Sequence, residues 1–141
     1  WRGEKIPGGI GSAAVRIGDA TVAALVAVNA LGDVFSLEGT PLTGGPAIAE
    51  PLAVAPATNQ NTTLGVLATD AALTRDQLSR LLVRAHDAYG ACLRPAHTSF
   101  DGDMCFAVST GTQSGELHNL AEAAFEAVGR AIANAIVASR L

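Results

Sequence analysis

A chain of 141 residues with a formal net charge of −4 and no basic cluster lacks the electrostatic footprint of a nucleic-acid binder. Hydrophobic residues make up 49% of it but aromatics only 4%, so Ala, Val, Leu and Ile must fill the core of what reads as a single domain over 1–141. No apolar run reaches the roughly 18 residues of a membrane-spanning helix, and the two cysteines, Cys92 and Cys105, form no CxxC pair or disulfide framework.

That cysteine usage fits a reducing compartment, and a cytoplasmic location is the expectation. The chain starts at Trp1 rather than Met, so we expect further sequence upstream.

The run Gly8-Gly9-Ile10-Gly11-Ser12 has two readings: an anion-binding nest of backbone N–H groups, or a turn or close approach of a strand. No dinucleotide or Walker pattern follows it. Residues 12–17 predict a short strand, Gly18-Asp19 a turn and 21–30 a second strand, which together read as an antiparallel hairpin. The second strand is apolar on both faces, which predicts a central position with cover on both sides. Asn29 at its end is either a turn cap or a hydrogen-bond donor to an oxyanion. Residues 32–60 hold most of the prolines and read as one long surface loop.

The stretch from Asn61 to Asp70 opens with Thr62 and Thr63, continues as an apolar run and stops at an acid. It reads as a buried strand, 62–69, with its hydroxyl residues at the sheet edge; two Thr at a strand start are also simply strand formers. Thr74 and Gln77 form the T-x-x-Q pattern of a capping box, and Leu78, Leu81, Leu82, Ala85 and Tyr89 share the face of the helix that follows. Gly90 or the Arg94-Pro95 step ends it, with His86 and Asp87 on its edge. Asp101 and Asp103 flank Gly102, and three readings remain open for them: a metal site, a carboxylate that orients a nucleophile or ammonium, or a plain turn. His97 reads as a surface loop residue. Residues 104–109 predict a third apolar strand with Cys105 as a small buried hydrophobe. A turn over 110–115 then leads to an Ala-rich helix near 116–139.

Taken together, Gly8 to Ala13, Ala24 to Asp33, Asn61 to Asp70 and Pro95 through Asp101-Gly102-Asp103 to Gly111 resemble, in order, the P1-type peptidases. This is the group of the L-aminopeptidase/D-esterase and the nylon-oligomer hydrolase. The resemblance implies a four-layer α-β-β-α sandwich similar to Ntn hydrolases but with different connectivity, here without its N-terminal portion. It implies self-cleavage at Asn61–Thr62, with 1–61 the end of a large subunit and 62–141 the small subunit. Thr62 would then be the N-terminal nucleophile. A free α-amine on the same residue can take the hydroxyl proton, since it titrates near neutrality. Thr63 points to the opposite strand face and serves less well. By the same resemblance Asn29 is the oxyanion donor, Asp101 and Asp103 the acidic pair, and Asp103 the group that orients Thr62.

Two departures stand out. The family's catalytic Lys precedes the Gly-Gly-x-Gly run, where Pro7 stands here; Lys5, two residues earlier, is the substitute. Family members are also about twice as long or more. The expected activity is hydrolysis of a small amide or peptide without metal or organic cofactor, in a homo-oligomer or in association with the missing N-terminal segment. The rival is a non-catalytic oligomeric scaffold or binding module.

Overall fold

The hydrophobic pattern is realised as one four-stranded sheet with two helices on one of its faces. The computed structural model describes residues 6–43 and 61–140. Strands β1 (Gly9–Ile17) and β2 (Ala20–Val28) form the expected hairpin, turning at Gly18, whose φ of 60° suits a residue without Cβ. The two-residue strand β3 (Asp33–Val34) follows, and β4 (Leu64–Ala71) then pairs antiparallel with β2. Asp70, the acid that closes this apolar run, accepts the N–H of Thr21 on its Oδ1 at 2.7 Å.

Helix α1 (Arg75–Cys92) starts as its sequence dictates. Thr74 N–H donates to Gln77 Oε1 at 2.9 Å and Gln77 N–H donates to Thr74 Oγ1 at 3.3 Å, the reciprocal capping box. The helix runs through Gly90 and gives way to β5 (Leu93–Arg94), which pairs with β3. This small second ladder anchors the first part of the long irregular stretch. Strand β6 (Met104–Gln113) returns parallel to β4, giving the order β1-β2-β4-β6, and α2 (Leu117–Ala138) closes the described fold.

The core lies between the sheet and the helices. Val22, Ala24, Val26 and Val28 of β2, Leu67 of β4, and Ala124, Val128, Ile132 and Ala135 of α2 are all buried. The opposite sheet face is different. There Ile10 (66% exposed), Leu25 (52%), Val66 (44%) and Phe106 (58%) stand in the open among the described residues. So β2 is central as expected, and the described residues cover one of its faces.

Small residues let α2 lie close on β1. A Cβ added to Gly11 would sit 2.2 Å from the carbonyl oxygen of Ala131 and 2.3 Å from the nitrogen of Ala135. The glycine-rich run is therefore the start of a strand under a helix, the close-approach reading, and β1 begins at Gly9 rather than at residue 12. Two other boundaries also move. Thr62 and Thr63 precede the ladder, which starts at Leu64. Strand β6 continues to Gln113 through Gly111, whose φ of 75° bends it where a turn was expected. Because the atoms facing Gly11 are backbone, Gly11→Ala must push α2 off the sheet. It should lower unfolding stability by about 3 kcal/mol in urea titration.

Candidate active site

Topology brings three strand ends together. Because β2 runs antiparallel to β4 and β6 runs parallel to it, the end of β2 and the starts of β4 and β6 share one edge of the sheet. Here Asn61 and Asp101 form an isolated parallel bridge. Thr62 N–H donates to the carbonyl oxygen of Asn29 at 2.9 Å, and Met104 N–H donates to that of Thr63 at 2.9 Å. These main-chain bonds hold the Asn61-Thr62-Thr63 segment between its neighbours.

The peptide oxygen of Asn61 accepts two hydrogen bonds. Gly102 N–H donates to it at 2.9 Å, and the Thr62 hydroxyl donates to it at 2.7 Å. Thus the bond predicted as the cleavage site carries a polarised carbonyl with the hydroxyl of the next residue beside it. A Cβ on Gly102 would lie 2.7 Å from Thr62 Oγ1, so this glycine leaves the space that the hydroxyl occupies. A shallow pocket opens here, lined by Asn61, Thr62, Ser99, Phe100, Asp101 and Gly102. Thr63 faces the other way. It is fully buried, and its hydroxyl has no hydrogen-bond partner among the described residues.

The two carboxylates are used differently. Asp101 Oδ2 accepts from the N–H of Thr98 at 3.0 Å and from its hydroxyl at 2.5 Å, which closes the 98–101 loop on itself. Asp103 reaches the Thr62-Thr63 segment: its Oδ1 accepts Thr63 N–H at 2.8 Å. Its Oδ2 accepts His97 N–H at 3.1 Å and lies 3.5 Å from His97 Nδ1. Its side chain is only 2% exposed, so these donors compensate a carboxylate taken out of water.

Of the residues singled out in the sequence, the structure thus gathers Asn61, Thr62, Asp101, Asp103 and Asn29 at one edge. Asn29 enters through its carbonyl oxygen. Lys5 lies outside the described residues. Sequence reasoning missed the Gly102 N–H, a main-chain donor with no residue-type signature beyond its place between two acids. It also missed His97, which as a loop residue reads as exposed yet bonds the buried Asp103.

Among the described residues no group of three or more His, Cys, Asp or Glu side chains is arranged to hold a metal ion. Burial pushes the Cys105 thiol up to about 11 and the Cys92 thiol up to about 12, so neither is a thiolate at neutral pH.

The helix-backed mixed sheet is the architecture of Ntn-hydrolase-fold aminopeptidases, as structural comparison shows. The L-aminopeptidase D-Ala-esterase/amidase of Ochrobactrum anthropi, described as a variant of the Ntn hydrolase fold, superposes with a TM-score of 0.67 at 27% identity, covering 93% of this chain and 40% of that one. A β-aminopeptidase from Burkholderia sp. gives a TM-score of 0.65 at 27% identity, covering 93% and 42%. The model of peptidase family S58 matches residues 3–141, and the chain belongs to that family. An uncharacterized aminopeptidase of Mycobacterium tuberculosis is 36% identical over 129 residues, covering 78% of this chain and 38% of the relative. A 6-aminohexanoate-oligomer endohydrolase of Agromyces sp. is 29% identical over 119 residues, covering 72% and 33%. The chain therefore spans between a third and two fifths of the length of these curated relatives. The resemblance read from the motifs and the fold class it implies are both borne out.

The buried, unpartnered hydroxyl of Thr63 is a cost that a methyl group of similar shape would remove. Thr63→Val should therefore raise stability by about 1 kcal/mol, measured as a shift in the urea midpoint at constant m-value.

Proposed function

We propose that this chain carries the nucleophile half of a self-processing N-terminal-threonine hydrolase of amide or peptide bonds. The observation that carries this reading is the Asn61 carbonyl, bonded at once by Gly102 N–H and by the Thr62 hydroxyl. In self-cleavage Thr62 Oγ attacks the Asn61 carbonyl carbon. The developing oxyanion sits on Gly102 N–H, with the Asn29 amide as a second candidate donor. The C–N bond breaks as the Thr62 nitrogen takes the hydroxyl proton, leaving an ester. Water then releases the Asn61 carboxylate and frees both the hydroxyl and the α-amine of Thr62.

In substrate turnover that amine accepts the hydroxyl proton as Oγ attacks the amide carbonyl of the substrate, and returns it to the departing amine. Water hydrolyses the resulting ester. Asp103 orients the segment through Thr63 N–H, and Asp101 shapes the pocket by holding its loop. Lys5 is the candidate for the family's lysine. No step calls on a metal or organic cofactor. The relatives' names, aminopeptidase and oligomer endohydrolase, support a small amine-bearing or short oligoamide substrate.

The same reading accounts for the open sheet face. Thr62 lies on the side away from the helices, since its neighbour Thr63 is buried toward them. A second β layer seated on Leu25, Val66 and Phe106 would complete the sandwich and wall the pocket. In the cytoplasmic, oligomeric protein we envisage, that layer comes from the remaining length that the relatives possess.

Intact-mass measurement of the purified full-length protein tests the reading. Two fragments should appear, one ending at Asn61 and one beginning at Thr62, and they should co-elute in gel filtration. Thr62→Ala should give a single uncut mass and no amide hydrolysis, while chelators leave activity unchanged. A single uncut mass from the unaltered full-length protein at neutral pH rejects self-processing. Gly102→Ala, whose Cβ would displace the Thr62 hydroxyl, should slow cleavage by about 100-fold, followed as loss of the uncut mass with time.

A further inference from the structure

Helix α1 and the 95–103 loop bring two histidines together behind the candidate nucleophile. His86 Nδ1 lies 3.1 Å from His97 Nε2, and the two rings are tilted with centroids 4.9 Å apart. His97 also stacks on Tyr89, centroid to centroid 5.8 Å, and His86 meets the same tyrosine ring edge-on at 5.4 Å, so the three rings form a triangle. Tyr89 is itself fixed, since it is fully buried and its hydroxyl donates to the Met104 carbonyl at 3.2 Å. His97 has a φ of 54°, a conformation that non-glycine residues adopt rarely. That backbone turns its N–H onto Asp103 Oδ2, while Nδ1 of the ring faces the same oxygen. One continuous line therefore runs His86–His97–Asp103–Thr63 N–H and ends one residue from Thr62.

We infer that His97, backed by His86, is a positioning residue that clamps the Asp103 carboxylate onto Thr63 N–H and makes the placement of Thr62 depend on how many protons the histidine pair holds. Two ring nitrogens 3.1 Å apart share one proton comfortably. With one proton on the pair, Nδ1–H of His97 points at Asp103 and the line is complete. A second proton puts two imidazolium rings in contact, and the pair must part.

The groups around His86 set the pH at which this happens. Burial, and next the charge of His97, hold His86 below the ordinary imidazole range, while Asp103 and Asp87 oppose that shift. Asp87 is already paired with Arg84 on the exposed side. Tyr89, on the same helix, meets the His86 ring and is kept protonated by burial, and Cys105 of β6, which lies beside Tyr89, is neutral. A depressed folded-state value means that the clamp is intact above the usual histidine range and opens as pH falls beneath it.

The test uses the full-length protein labelled with nitrogen-15 at histidine and threonine, titrated through the imidazole range. The His86 ring should titrate below the free-imidazole value, and the Thr63 amide should shift with the same midpoint. His97→Asn keeps an amide donor and a residue type that tolerates the backbone angle. In that variant the His86 midpoint should rise and the Thr63 amide should stop responding. A Thr63 amide that does not titrate in the unaltered protein, or that responds equally in His97→Asn, overturns the inference.

A second arm rests on the function proposed above. With alanine p-nitroanilide as the probe, log kcat should fall with a slope of about one below the α-amine value and steepen to about two as the pair takes its second proton. His86→Asn should abolish the steepening. A uniform loss of rate at all pH values, with the steepening kept, would mark His86 as merely structural and overturn the inference. The two failures are distinguishable. A coupled histidine–Thr63 titration in a protein that hydrolyses no amide would overturn the hydrolase reading alone, and hydrolysis without that coupling would overturn the clamp alone.

Discussion

Everything at the candidate site depends on the parallel pairing of β4 with β6. Parallel strands place their starts side by side, whereas antiparallel neighbours place a start beside an end. Leu64 is level with Met104, so the residues just before each strand, Asn61 to Thr63 and Asp101 to Asp103, are forced into one small volume. Parallel pairing also requires a crossover, and α1 provides it. The helix that closes the crossover is the one that carries His86 and Tyr89 to the back of the same edge. Chemistry and connectivity are thus one constraint seen from two sides. A sheet of the same composition with β6 reversed would bury its core as well and would separate the hydroxyl from the acid.

The packing behind the site follows from residue size. Alanines and glycines dominate the contact between α2 and β1, and the helix lies where a single methyl at Gly11 would meet backbone atoms. Gly65 repeats the theme, for its missing Cβ makes room for the Tyr89 hydroxyl. A chain so poor in aromatics uses its one tyrosine as the pillar between helix and strand, and that pillar is also the surface on which His97 stacks.

Much of this was legible in the sequence, and the exceptions have physical reasons. The capping box at Thr74, the hairpin turning at Gly18 and the opposite facing of Thr62 and Thr63 are local rules, set by hydrogen bonds or alternation within a few residues. The extent of β6 past Gly111 was not legible, because a glycine at positive φ signals a turn in isolation and a bend in a strand held by neighbours. What covers the second face of β2 was not legible, because an apolar stripe states what wants burial without stating what supplies it. Gly102 N–H escaped because a main-chain donor is common to every residue except proline. His86 and His97 stand 11 residues apart, and their pairing depends on the phase of α1 and on one unusual backbone angle.

The antiparallel ladder between β2 and β4 has a consequence for the unfolded state. Six residue pairs join these strands, and the Asn61–Thr62 bond lies on the connection between them. While that connection is whole, pairing is the closure of a loop, whose entropy grows only slowly with length. If the proposed self-cleavage severs it, the same ladder joins two separate molecules and acquires a translational cost. Such a cut would act as a cross-link in reverse, since it would leave the native contacts in place and widen the ensemble that competes with them. Refolding of the nicked protein would then be second order, and its apparent stability would rise with protein concentration. A form cleaved as proposed would thereby be held together by the slowness of strand separation as much as by its equilibrium.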